Sequence, residues 1–262
     1  MSQYWRRPTQ NKLILGQVVM LTISSLKARY RKTVAGFLWV VLNPLIMYGV
    51  QFYVFSQILK LNVPNYYLFL LTGLLPWLFF VQTLEMCTSL FLTYGPLLKA
   101  FPTHPLVYLF AQMFDNFINF LAAFFLLMIP AVILHQINWW GLLLLPIALL
   151  SMVITTFSLA WLLATMQVFF RDTRYIVSFV LSVSFYLTPV FYSPEFVPER
   201  FRWMVTYNPF FHMIRPFRAS LYEFSFDNFS REIGFAFIVG GVALAIAAEY
   251  WRHKKNEIYL NI

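Results

Sequence analysis

The residues of this chain that could do chemistry are few and far apart. The four histidines, His104, His135, His212 and His253, lie at least 31 positions from one another. A general base must sit within hydrogen-bond reach of the proton it takes, and scattered histidines read instead as packing or interface residues. No H-E-x-x-H run occurs, and the single cysteine, Cys87, excludes an internal disulfide and any multi-cysteine metal site. No metal site is expected. None of the nine glycines precedes a lysine, so the usual backbone cradle for nucleotide phosphates is missing. Two acids, Glu85 and Asp115, fall inside apolar runs. A charge at the centre of a membrane helix costs about 2.5–3.5 kcal/mol. Each acid is therefore either a functional group, or a carboxylate that lies near the cytoplasmic interface or pairs with polar neighbours, such as Asn116 and Asn119 near Asp115.

The elements that position these residues are set by solvent. The chain of 262 residues is 60% hydrophobic, 20% aromatic and only 11% charged. A soluble domain carries roughly 25% charged residues, so this chain cannot cover its own surface in water. An all-α integral membrane protein is expected. A helix crosses the bilayer core with about 20 mostly apolar residues. Six runs qualify, at about 34–59, 66–91, 106–134, 140–169, 174–192 and 231–250. Residues 11–26 are apolar-rich but interrupted by Lys12, Gln17, Thr22, Ser24 and Ser25, which suits an amphipathic interface helix within a cytoplasmic segment 1–33. Prolines interrupt the spans at Pro44, Pro76, Pro130, Pro146 and Pro189. Asn43 and Thr188 stand beside two of them and are expected to satisfy freed carbonyls. Residues 193–230 combine ten aromatics or so with Pro194, Pro198, Pro209 and Pro216, which predicts two short interfacial or re-entrant helices.

Charge sets the orientation. With both termini cytoplasmic, thirteen of the nineteen lysines and arginines lie inside, among them the cluster Lys27, Arg29, Arg31 and Lys32. Residues 251–262 then form a cytoplasmic tail. The net charge of +9 reads as attraction to anionic lipid rather than to nucleic acid. Aromatic residues with polar tips, including Tyr48, Tyr53, Trp77, Trp161, Tyr186 and Tyr192, could line a path for sugar rings, or simply sit at membrane interfaces.

The run RYRKTVAGFLWVVLNPL, Arg29 to Leu45, fits the pattern R-x-R-x-[ST]-x-x-G-x-x-W-x-x-x-x-P. It resembles the first span of the membrane subunits of ABC transporters that export polysaccharides such as O-antigen, capsule and teichoic acid. FFRDTRYIVSFVLSVSFYLTPVFYSPEFVPERFRWMVTYNPF, Phe169 to Phe210, and GLLPW, Gly73 to Trp77, are similar to later parts of the same family. Ser178 stands where that family commonly has proline.

The resemblance implies a half-transporter that pairs with a second copy of itself and with two copies of a separate ABC ATPase. That partner would bind ATP and Mg, with no cofactor in this chain. Residues implied to dock the ATPase are Lys27, Arg29 and Arg31 at the interface helix, Lys99, Phe101, Pro102 and His104 in the coupling loop, and Arg171, Asp172 and Arg174 in the RDTR turn. A lipid-linked polysaccharide would pass between the copies. By position in the outer halves of the first and fifth spans, in the second span and in the outer region, the path and gate fall to Tyr48, Phe52, Tyr53, Trp77, Phe185, Tyr186, Phe191, Tyr192, Phe196 and Trp203. Three other readings stay open: a lipid or drug exporter of the same build, an ion-coupled carrier or scramblase, and a membrane-embedded transferase.

Overall fold

The computed structural model describes residues 16–24, 27, 36–100, 103–135 and 137–262, and the described residues are helical throughout apart from turns and short connections. Arg29, Arg31, Phe101 and Pro102 lie outside the described residues. The helices in chain order are α1 (16–24), α2 (Gly36–Tyr53), α3 (Tyr66–Thr88), α4 (Leu90–Thr93), α5 (Gly95–Ala100), α6 (Pro105–His135), α7 (Trp139–Phe169), α8 (Thr173–Leu187), α9 (Arg202–Thr206), α10 (Pro209–Leu221) and α11 (Phe226–Asn261). A π-helical turn, Val54–Ile58, extends α2.

Four of these helices, α3, α6, α7 and α11, are long and apolar enough to cross a membrane. The expected run 174–192 is shorter as a helix. α8 ends at Leu187, and Thr188 is its extended C-cap. Pro189 therefore terminates α8 rather than kinking it, because proline disfavours helical geometry in the residue before it. The Thr188 hydroxyl accepts from Asn208 Nδ2 at 2.9 Å, so it ties α8 to the start of α10 instead of repairing a broken ladder. The run 66–91 likewise breaks at Ser89, between α3 and α4.

α3 is the axis of the bundle. Its residues are apolar on most faces, and 78% of its membrane-length window is buried, as expected for a helix largely surrounded by others. α2, α6, α7, α8 and α10 all pack on it. α7 and α11 pack along each other through small residues. Ala236, Gly240, Ala243 and Ala247 of α11 are buried, and so are Ser151, Thr155, Ala160 and Ala164 of α7. A Cβ at Gly240 would come 2.7 Å from Thr155 Oγ1. Lipid gives apolar helices no reason to associate, so close backbone approach and dispersion hold such a pair.

Residues 251–261 continue the last helix. α11 runs without a break to Asn261, about 54 Å at 1.5 Å per residue, well beyond a hydrocarbon core of about 30 Å. Trp251 packs against Phe91, Trp161 and His104 at 6.0, 5.9 and 5.7 Å between ring centres. Ile258 is fully buried, and Ile262 lies against Gly95.

The two ends of the bundle differ. One gathers α5, the RDTR turn and the charged end of α11, and is called here the basic end. The other gathers the 59–65 connection and residues 188–225, and is called the aromatic end. α1 packs near the basic end through Val18 and Thr22, which are buried one helical turn apart. The Thr22 hydroxyl reaches Val18 O at 2.9 Å and Ala111 O of α6 at 3.4 Å. Val19, Met20 and Ile23 stay exposed, so both faces of this helix carry apolar residues, which suits an interface position.

Candidate functional site

At the basic end, the RDTR turn is built by a residue one turn before it. Gln167 is buried. Its Nε2 donates to Arg171 O at 2.9 Å, and its Oε1 accepts from Arg174 N at 2.7 Å. Thr173 Oγ1 adds a bond to Phe170 O at 2.6 Å. The turn is thus closed from inside, which leaves Arg171, Asp172 and Arg174 exposed. A rigid turn presenting alternating charge is suited to contact with another protein.

The end of α11 braces α5. Lys99 Nζ donates to the Ile262 carbonyl, and α5 packs on α11. His104 is the N-terminal lock of α6, since its Nδ1 accepts from Leu106 N at 3.2 Å. Burial pushes its pKa below the ordinary imidazole value, consistent with a neutral acceptor. Lys27 is exposed.

Between the ends runs a polar trough along the one uncovered face of α3. A cavity of about 370 Å³ is lined by Asn43, Gln82, Glu85, Asn116 and Asn119 together with Trp39, Phe79 and Phe120. A second, of about 500 Å³, shares Glu85 and Met86 with it and continues to Gln112, Arg174 and Ser178. Asn116 donates to Thr83 Oγ1 and accepts from Gln112, each at 3.3 Å. Ser178 Oγ donates to Glu85 Oε1 at 3.1 Å. Asp115 points elsewhere and is completely buried.

At the aromatic end, five of the expected path residues form one cluster. Phe185 lies 5.9 Å from Trp77, 5.4 Å from Tyr186 and 5.4 Å from Phe191, and Phe191 lies 5.1 Å from Tyr192. Phe55, stacked on Phe191 at 4.5 Å, and Phe210, 6.0 Å from Trp77, complete it. Trp77 itself is buried in the bundle. Tyr48 is buried too, with its hydroxyl donating to Tyr67 O at 2.8 Å, and Phe52 packs on Tyr66 and Tyr67. Tyr48 and Trp77 therefore pack inside the bundle and expose little surface. Tyr53, Tyr186, Phe196 and Trp203 are exposed, and of these only Tyr186 belongs to the cluster.

Behind the cluster, α10 carries three charged or titratable side chains inward. Arg218 is buried, donates from Nη2 to Val190 O at 2.7 Å, and lies 3.9 Å over the Phe69 ring. Gly73 permits this, because a Cβ there would come 2.6 Å from Val190 O and 2.7 Å from Arg218 Nη2. Glu232, at the start of α11, is buried and receives Arg215 Nη2 at 2.7 Å. His212 Nδ1 lies 3.6 Å from the other Glu232 oxygen, and Arg231 Nε lies 3.8 Å from the first.

The chain matches the family model described as "ABC-2 type transporter" over residues 16–222. The chain belongs to the ABC-2 type transporter family. It is 30% identical to an "O-antigen export system permease protein RfbA" of Klebsiella pneumoniae over 246 residues, which is 89% of this chain and 92% of that protein. A second Klebsiella pneumoniae protein of that name is 31% identical over 77% of this chain and 78% of its own length. One of Myxococcus xanthus is 30% identical over 79% and 81%.

Several residues that organise this ABC-2 transporter chain carry no sequence signal. Gln167, Arg218, Asn208 and Glu232 look like ordinary polar residues of turns and helix ends. Their partners lie elsewhere in the chain or, for Gln167, across a turn. His212 is informative about pH. Its Nε2 meets Thr206 O at 2.8 Å, and a carbonyl can only accept, so Nε2 carries the proton. In the neutral ring Nδ1 then turns a lone pair toward Glu232. Protonation replaces repulsion by attraction, so the Glu232 carboxylate raises the His212 pKa, partial burial opposes the rise, and the Thr206 carbonyl adds to it. A raised folded-state value means stabilisation that is complete below the ordinary pKa of about 6.5 and fades as pH climbs through the raised value. The melting-temperature difference between the parent protein and His212→Gln is therefore expected to be largest near about pH 5.5 and to shrink toward about pH 9. A difference that stays constant with pH would remove the ion pair from the account.

Proposed function

We propose that this chain is the permease half of an ATP-driven exporter that moves a lipid-linked polysaccharide, of O-antigen, capsule or teichoic-acid type, across the bacterial cytoplasmic membrane. The observation that carries the reading is the similarity to O-antigen export permeases over about nine-tenths of the chain and of the relative. Two copies of the chain form the channel, with six spans each and both termini cytoplasmic. Residues 1–33 and 251–262 face the cytoplasm, residues 34–250 hold the spans, and residues 193–230 form the outer gate. The basic end docks two copies of a separate ABC ATPase, which bind ATP and Mg. The polar trough beside α3 supports the substrate class. Its amides exchange hydrogen bonds with hydroxyls, and its aromatic faces accept the apolar side of a sugar ring. A lipid or drug would make little use of so many amides.

The test is co-purification with the ABC ATPase that the producing cell expresses, followed by ATP turnover with and without the cell's lipid-linked glycan. A stable assembly of two permeases and two ATPases whose turnover changes with glycan is the expected result. A chain that stays alone yet moves substrate in ATP-free liposomes would overturn the reading and return Glu85 and Asp115 to the role of ion-coupling acids.

A further inference from the structure

A cavity of about 250 Å³ opens at the aromatic end between the 62–64 connection, residues 193–196, α10 and the start of α11. It lies just below the size of drug-sized pockets, about 300–1,000 Å³, which is the scale of a single ring. Arg218 lines it. This side chain is 6% exposed, and its Nε and Nη1 have no hydrogen-bond partner. Its Nη2 is spent on Val190 O, and its plane is held over Phe69. Nε and Nη1 are themselves shielded from solvent, so the side chain brings a fixed positive charge to the cavity wall. A buried guanidinium left short of partners is unfavourable, so its charge at the wall favours a ligand that brings acceptors.

The other lining groups decide which ligand. Glu195 and Glu223 share the cavity with Asn228 and Tyr222. Arg215 also lines it, but its guanidinium is already bonded to Glu232 at 2.7 Å. A phosphoryl group only accepts, and two carboxylates would repel it. Hydroxyls both donate and accept, so a polyol suits the Arg218 charge and the two carboxylates together. The exposed ring of Phe196 offers an apolar face at the same opening. We propose that this cavity is an exit-side subsite for one pyranose ring of the exported glycan. The inference rests on the glycan-export reading, and it adds the place where the leading sugars are held as they emerge past the gate.

Cys87 is buried, so Asn62→Cys at the cavity rim gives the full-length protein one reactive thiol. In nanodiscs, labelling by a charged maleimide is measured against rising methyl glycosides of glucose, galactose, mannose and rhamnose, with inorganic phosphate and glycerol as comparisons. At least one glycoside is expected to slow labelling threefold or more. Glu223→Gln, at an exposed residue, is expected to shift the midpoint of that protection at least tenfold, and Arg218→Lys to abolish it. Stronger protection by phosphate than by any glycoside overturns the proposal in favour of an anion site. No protection by any glycoside overturns it in favour of a purely structural Arg218. The assay needs neither the ATPase nor transport. If labelling is unaffected while glycan still changes ATP turnover in the assembled complex, the subsite falls and the exporter reading stands.

Discussion

Gly141→Ala should cost this protein about 3 kcal/mol or more, although alanine is the better helix former. A Cβ at position 141 would sit 1.8 Å from the Ser220 carbonyl oxygen and 3.0 Å from its carbon. Both are backbone atoms of α10, so the obstruction cannot rotate away. Overpacking usually costs about 1–3 kcal/mol, and here the whole of α10 must retreat from α7. That displacement also disturbs Arg218 and Arg215, which α10 carries. Gly241→Ala is the control, because nothing lies within 4 Å of its Cβ. There the intrinsic helix gain, up to about 1 kcal/mol, is the main effect. Thermal melts followed by size-exclusion chromatography in detergent should show Gly141→Ala losing monodisperse protein many degrees below Gly241→Ala. Equal melting temperatures would mean that α7 and α10 are not in close backbone contact.

The second large effect is expected at Glu232. Its carboxylate is 5% exposed and collects Arg215, His212 and Arg231 at 2.7, 3.6 and 3.8 Å. Glu232→Ala leaves Arg215 in a half-buried position without its counter-charge and within reach of other cations. Breaking one side of a buried ion pair costs about 3–5 kcal/mol. Arg215 retains some access to water, which places the expected loss near the lower end, about 3 kcal/mol. Glu232→Gln keeps an acceptor and should lose less. Adding Arg215→Met to Glu232→Ala should restore part of the loss, because the uncompensated cation is then gone. If the double variant melts lower than Glu232→Ala by the full Arg215→Met decrement, the two residues act independently and the pairing carries no stability.

The long apolar runs and the turns between them were legible because lipid tolerates few backbone or charge alternatives. The runs 106–134 and 140–169 became α6 and α7 to within a residue or so at each end. RDTR announced a turn, and one separates α7 from α8. The aromatic, proline-rich stretch 193–230 announced short helices, and α9 and α10 are 5 and 13 residues long. The helical continuation of α11 to Asn261 was not legible in its charges. Those charges pair along the helix, Arg252 and His253 with Glu249 and Lys254 with Glu257, while Trp251 and Ile258 turn inward.

Composition and order along the chain therefore determined that this is a helical membrane protein, where most of its helices begin and end, and, through its motifs, its family. Only the tertiary structure decided which face of each helix looks inward. In lipid an aromatic or leucine is equally at home against a tail, a neighbouring helix or a path, so side-chain type cannot tell Tyr48 and Trp77, which are buried, from Tyr186 and Trp203, which are exposed. The polar contacts were hidden for a related reason. Tyr66 bonds to Phe191 O across 125 positions and Arg218 to Val190 O across 28. Such bonds depend on where packing brings two distant backbones together, and α3, buried on nearly every side, is the element around which that packing is arranged.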